Sequence, residues 1–241
     1  MAFIRPYQES DFDDMSHICR ETLPASLAAS EPARRLAPYI WTHQYTLLSP
    51  STCFVLDDGR TGRAVGYCIG CPEVPAFCAA YPRYVREVLD GRGRANGDVR
   101  AETRPPPEGE EGEDAPRAAW IDPDTGRISE AALAQLAFSP RRLLLDGTED
   151  LLREGYRGTM HIDLLPEYQG KGWGRRLLEA LVESMRPAAG GEAGEGEERS
   201  RGIWLGVGAE NSKVVPFYEK LGFRVKEREI KTSTIIMVRD Y

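Results

Sequence analysis

Gln169-Gly170-Lys171-Gly172-Trp173-Gly174 follows a strand-like run, Met160 to Pro166, and opens a helix-like run, Arg175 to Met185. Three glycines in five positions let the backbone come close to a ligand, with no Cβ in the way. A helix beginning there turns its unpaired N–H groups and the positive end of its dipole on the same spot. Strand, glycine turn and helix N-terminus together make an anion cradle suited to a phosphate or pyrophosphate. The common nucleotide loops do not fit. Gly-x-Gly-x-x-Gly would need glycine at Arg175 or Leu177, and a P-loop would need glycine at Leu165 and Ser or Thr at Gly172.

What fits is Gln/Arg-x-x-Gly-x-Gly/Ala, with Gln169, Gly172 and Gly174 as the fixed positions. This resembles the pyrophosphate loop of the GNAT N-acetyltransferase family, which holds acetyl-coenzyme A. A second segment lies downstream. Gly202 to Val207 reads as a buried strand, and Asn211 to Phe223 is similar to the family's N-x-x-x-x-x-F-Y-E-K-L-G-F run. Asn211 is placed as a helix N-cap and Gly222 as the residue after the helix end. Pro216 removes a hydrogen bond from the first turns. At the chain start, Phe3 to Tyr7 reads as a short strand, and Ser10 with Asp13 as a capping box. Phe12, Met15, Cys19 and Thr22 or Leu23 then form a helical stripe.

The order of elements, βααββ…βαβαββ, matches the GNAT core. The implied fold is a mixed, mostly antiparallel central sheet flanked by helices, forming one domain over residues 1–241. Ala33 to Leu47 reads as the second helix, and Thr52 to Leu56 with Arg63 to Cys71 as a hairpin around Asp57-Asp58-Gly59-Arg60. Phe77 to Leu89, Ser129 to Phe138 and Leu143 to Arg153 read as helical. Val225 to Ile230 and Thr234 to Arg239 read as closing strands. Two low-complexity stretches, 91–117 and 187–201, hold few apolar residues and read as flexible insertions. His161-Ile162-Asp163-Leu164-Leu165-Pro166 also looks like the acetyltransferase-like domains related to the C-terminal region of O-GlcNAcases, some of which are thought to be inactive.

The formal net charge is -7, of which the two insertions supply -4. No basic stripe is concentrated anywhere, which argues against nucleic-acid binding. No apolar run approaches ~20 residues, and no secretory signal is visible, so neither a membrane span nor export is expected. The five cysteines, Cys19, Cys53, Cys68, Cys71 and Cys78, have no framework spacing and suit a reducing, cytoplasmic compartment. Cys68-x-x-Cys71 has no second pair to complete a zinc site. It is read as part of a strand, with no metal expected.

The resemblance implies the roles. Gln169, Gly170, Lys171, Gly172, Trp173, Gly174 and Arg175 would contact the pyrophosphate. Leu164 and its neighbour Leu165 would offer backbone groups to the pantetheine and thioester, where the family's fourth and fifth strands splay apart. Ile162, Leu164 and Pro166 alternate on one face of the strand, with His161, Asp163 and Leu165 on the other. Asn211 matches a cofactor-contacting position. Tyr218 matches the general acid beside the sulfur, since a phenol can donate to a thiolate at neutral pH. The base is left between Asp163 and His161. Glu73, Tyr67 and Tyr81 are candidates for lining the acceptor site. The expected activity is acetyl-CoA-dependent transfer to a primary amine of a small molecule or peptide. A non-catalytic acyl-CoA-binding module, or a scaffold working through its acidic insertions, are the competing readings.

Overall fold

Short alternating strands and amphipathic helices assemble into one sheet covered on both faces. The computed structural model describes residues 1–106, 116–186, 200–228 and 234–241. Strand β1 (Phe3–Pro6) leads through helices α1 (Phe12–Glu21), α2 (Ala25–Ala28), α3 (Glu31–Trp41) and α4 (His43–Leu48) into the hairpin β2 (Cys53–Asp57) and β3 (Ala64–Cys71). Helices α5 (Val74–Ala79), α6 (Tyr81–Tyr84), α7 (Glu130–Phe138) and α8 (Glu149–Arg153) precede strand β4 (Tyr156–Leu164). Then come α9 (Trp173–Met185), β5 (Gly202–Gly208), α10 (Val215–Glu219), β6 (Arg224–Val225) and β7 (Thr234–Asp240). The strand order is β1-β2-β3-β4-β5-β7-β6. Every pairing is antiparallel except β4 with β5, the pair joined across a helix.

Each face of the sheet carries its own core. On one, α1, α3 and α4 pack Met15, Ile18, Leu36, Tyr39, Ile40 and Tyr45 against Val55, Tyr67 and Ile69. On the other, Leu177, Leu178, Leu181 and Val182 of α9 pack against Cys68, Ile203 and Met237. Cys68 belongs to the second core and Cys71 to the first, as three-residue spacing on a strand requires. The two thiols therefore point to opposite faces and cannot share a ligand.

Several local expectations are corrected. The capping box forms between Gln8 and Asp11, whose carboxylate accepts the Gln8 N–H at 2.8 Å, instead of between Ser10 and Asp13. Arg5 decides this by holding the buried Asp11 at 2.7 and 2.8 Å. The second helix is broken at Thr42 (φ −125°, ψ −64°), giving α3 and α4. Of the stretch 91–117, the part through 106 is built into the fold. A π-helical run Val85–Gly93 enters it, Val99 is buried, and Asp98 accepts the Tyr39 hydroxyl at 2.8 Å. A single valine among polar residues gave no sign of this, because the groups that hold the neighbouring Asp98 lie on α3. Residues 107–115 and 187–199 lie outside those described, so those parts of the two expected insertions do too. The strand expected over 225–230 is only Arg224–Val225. Beyond it, Lys226 and Arg228 turn to Glu154 and Asp150 of the α8 region; residues 229–230 lie outside those described.

His43 is a buried base held neutral. Its ring stacks on Phe12 (centroids 3.5 Å apart), Nε2 meets Ser16 Oγ at 2.7 Å, and Nδ1 has no partner among the described residues. Burial, with the charges of Arg92 and Arg20, holds its pKa well below the usual imidazole range. The unfolded chain therefore binds a proton that the native state does not, so this group lowers stability as pH falls below about 6.5. Urea denaturation over that range should show a decline of up to about 1.4 kcal/mol per pH unit, absent in His43→Leu. A wild-type profile matching that of the variant would refute it.

Candidate functional site

The site begins where β4 and β5 part. Their parallel pairing ends at Thr159 with Trp204. Yet β4 stays on β3 as far as Leu164 with Gly66, and β5 stays on β7 as far as Gly208 with Thr234. Each diverging strand keeps its outer partner and loses its inner one. The result is a cleft of about 1680 Å³, lined by Met160 to Asp163 on one side, Leu205 to Gly208 on the other, and Tyr218.

The ladder on β3 decides which backbone groups face the gap. The Leu165 N–H donates to the Val65 carbonyl at 3.0 Å. Alternation then turns the main-chain groups of Asp163 and His161 toward β3, and those of Ile162 and Leu164 toward the cleft. Leu165 is corrected here: its carbonyl also accepts the Tyr168 N–H at 2.9 Å, so both its main-chain groups already have partners inside the protein. Ile162, not Leu165, is the neighbour of Leu164 whose main-chain groups turn away from β3.

At the end of β4 the glycine turn is open. Gln169 Nε2 donates to the Leu164 carbonyl at 2.7 Å, tying the turn to the strand. Gly170 (φ +68°) and Gly172 (φ +82°) are left-handed, and nothing lies within 4 Å of where a Cβ would stand on either. Gly172 immediately precedes α9, so the first N–H groups of Trp173, Gly174 and Arg175 have no intrahelical acceptor. Gly174 serves differently. Its Cβ would meet Phe217 Cζ at 3.2 Å, so it lets the start of α9 seat against α10. The Arg175 guanidinium lies 3.7 Å from Glu179, Arg176 stacks on Trp173, and Lys171 Nζ stands 5.9 Å from the Tyr168 ring centre.

His161 and Asp163 project from the face opposite Ile162 and Leu164, the alternation expected of the strand. Tyr67 of β3 stands directly across from Asp163, on the same face. Its hydroxyl donates to Asp163 Oδ2 at 2.6 Å, and His161 Nε2 lies 2.9 Å from the same oxygen. Burial pulls the His161 pKa down, but the charge and hydrogen bond of Asp163 outweigh it, and the net shift is upward. Tyr218 is half-buried, its ring edge-on to Phe217 and Phe223. Burial first, then the proximity of Cys68 and Asp163, pushes its phenol well above the usual range, so it stays a proton donor.

Asn211 is exposed at the cleft mouth, inside a 3-10 segment, Ala209–Val214, with φ −107° and ψ 18°. It does not cap the helix: α10 is entered from Val214, and Pro216 sits in its first turn, where a missing N–H costs nothing. Glu73 and Tyr81 take no part. Glu73 pairs with Arg157 at 2.7 Å, and Tyr81 is buried with its hydroxyl on the Ala137 carbonyl. The far wall of the cleft was not anticipated: residues 22–32 from the α1–α3 connection, Trp41, and residues 120–130. The last form a turn whose Asp122 accepts the N–H groups of Asp124 and Thr125. Asp122-Pro123-Asp124-Thr125-Gly126 is a turn signal that could have marked it.

A family model described as an acetyltransferase (GNAT) domain matches residues 145–225, from the approach to β4 through β6. The crystal structure of SsHAT superposes with a TM-score of 0.70 at 26% identity, covering 99% of this chain and 98% of that one. Residues 145–225 thus carry the pattern of a GNAT acetyltransferase domain. A curated relative, the glucosamine 6-phosphate N-acetyltransferase of Trypanosoma brucei brucei, is 34% identical over 80 residues. That match takes in 32% of this chain, which spans about half (46%) of the length of the relative. The PaiA N-acetyltransferase of Thermoplasma acidophilum, solved in complex with coenzyme A, shares the GNAT fold at 14% identity and a TM-score of 0.50, covering 100% of this chain and 99% of that one. The splayed strands and the glycine turn both fall inside the GNAT match or on its strands. No helix among the described residues is long and apolar enough to cross a membrane.

Proposed function

We propose that this protein moves an acetyl group from acetyl-CoA to a primary amine of a small molecule or peptide, by direct attack on the thioester, with residues 1–241 acting as one domain. The observation that carries this is the pairing of an open glycine turn with a strand edge left free by β4 and β5. An extended pantetheine arm fits beside the inward main-chain groups of Ile162 and the Leu164 N–H as an added strand would, the Leu164 carbonyl being held by Gln169. Its pyrophosphate suits the N–H groups of Gly170 to Arg175. In this reading Tyr218 protonates the departing sulfur and the His161–Asp163 pair takes the proton from the amine. The coenzyme A complex of the PaiA relative supports the same choice of donor.

The test is amine-dependent release of free coenzyme A thiol across a panel that includes amino sugar phosphates, polyamines and peptide amines. We expect release above the hydrolytic background with at least one class. Binding of acetyl-CoA without release on any amine would favour the non-catalytic binding module instead.

A further inference from the structure

We infer that Tyr67 and Asp163 form a clamp that fixes the tautomer of His161, leaving its Nδ1 as the atom that accepts the proton of the acceptor ammonium. The chemistry rests on the acetyl-transfer reading, whereas the clamp itself is a matter of geometry. One carboxylate oxygen, Asp163 Oδ2, receives both partners: the Tyr67 hydroxyl at 2.6 Å and His161 Nε2 at 2.9 Å. A carboxylate only accepts, so Nε2 must carry a hydrogen, and in the neutral ring Nδ1 is then the lone pair. Tyr67 is fully buried and does not line the cleft. Its hydroxyl is held on the other side by Thr42 Oγ1 at 3.2 Å. That makes it a fixed donor behind the carboxylate, with no route to substrate. The His161 side chain is 37% exposed and that of Asp163 19%, so the imidazole presents more of itself to the cleft. Its Nδ1 has no partner among the described residues.

The titratable groups around the pair are Cys19 of α1, Tyr67 and Cys68 of β3, and Tyr218 of α10. Burial raises all four, the Cys19 thiol to about 12, so each is neutral near physiological pH. Asp163 is therefore the one charge among these groups. Tyr67 and Asp163 are positioning residues, and His161 is the catalytic one.

The proton count closes. His161 Nδ1 takes one proton from R–NH3⁺ and passes it to solvent. The freed amine nitrogen forms the C–N bond to the thioester carbonyl carbon, and the C–S bond breaks with its electron pair on sulfur. The sulfur gains a proton from the Tyr218 hydroxyl, and Tyr218 is restored by the second proton the nitrogen sheds. The sum is R–NH3⁺ plus acetyl-CoA giving the N-acetylamine, coenzyme A and one proton.

The first experiment reads the ring without turnover. Nitrogen-15 imidazole spectra of the full chain, taken above the titration of His161, should show Nε2 protonated and Nδ1 bare. In Asp163→Asn, whose amide can donate as well as accept, the two tautomers should mix. A wild-type ring protonated at Nδ1 overturns the inference. The second experiment reads kinetics. His161→Gln should lose roughly 10²–10⁴-fold in kcat. Tyr67→Phe should lose about 10-fold in kcat with the acceptor KM unchanged. Asp163→Asn should move the acid limb of the pH profile downward, because the imidazolium loses its counter-charge. Activity retained in His161→Gln but lost in Asp163→Asn would make Asp163 the base and overturn the inference. If the Nε2–H tautomer is present but no amine is acetylated, the clamp is supported and the acetyl-transfer reading is what fails.

Discussion

Gly172→Val should abolish the rise in Tm that saturating acetyl-CoA gives the wild-type protein. Ligand at about 100 times its Kd stabilises a fold by about 2.7 kcal/mol, which for a chain of this size is roughly 5–10 °C. Gly172 has φ +82°, a conformation costing a residue with a side chain about 1–2 kcal/mol, and more when the side chain is branched. No protein atom lies within 4 Å of its missing Cβ, so the folded chain has room for the new side chain. The space it would fill is the one proposed for the pyrophosphate. The variant should therefore fold with a modest loss of stability and lose the ligand response. Thermal melts with and without acetyl-CoA decide it. A folded variant whose Tm still climbs as far as the wild type's would remove the glycine turn from the binding site.

The second large effect is on turnover. Tyr218→Phe should keep the acetyl-CoA response and lower kcat by roughly 10–10³-fold. The phenol lines the cleft, and its ring is already held edge-on by Phe217 and Phe223, contacts that phenylalanine preserves. Burial keeps the hydroxyl protonated, so what the substitution removes is a donor. The loss should shrink with an acyl donor whose thiol is more acidic, because that leaving group needs less help. Single-turnover rates with acetyl-CoA and a more activated thioester measure both effects. Equal rates for variant and wild type would reduce Tyr218 to a packing residue.

Much of the site was legible because its chemistry is local. A turn that needs two left-handed residues writes glycine at Gly170 and Gly172, whatever surrounds it. The alternation of β4 likewise assigned His161 and Asp163 to one face and Ile162 and Leu164 to the other. The misreadings share a different cause. Leu165 looked free until β3 and Tyr168 were seen to bond both its main-chain groups. Asn211 has the composition of a helix cap, but Pro216 sets the start of α10 nearer to itself. Val99 is buried beside Asp98, which Tyr39 and Arg35, more than fifty residues away, hold in place.

The sequence by itself carried the GNAT resemblance, in the glycine turn and in Asn211 to Phe223, and the shape of that turn, because both rest on short-range patterns. Only the tertiary structure brought together the residues proposed to act as the base. Tyr67, Asp163 and His161 come from two strands whose register no local pattern records, and Thr42 reaches Tyr67 from a break between helices. Register and helix packing are set by burying both faces of the sheet at once, a condition on the whole chain. That condition places a fully buried phenol against the carboxylate that His161 also meets.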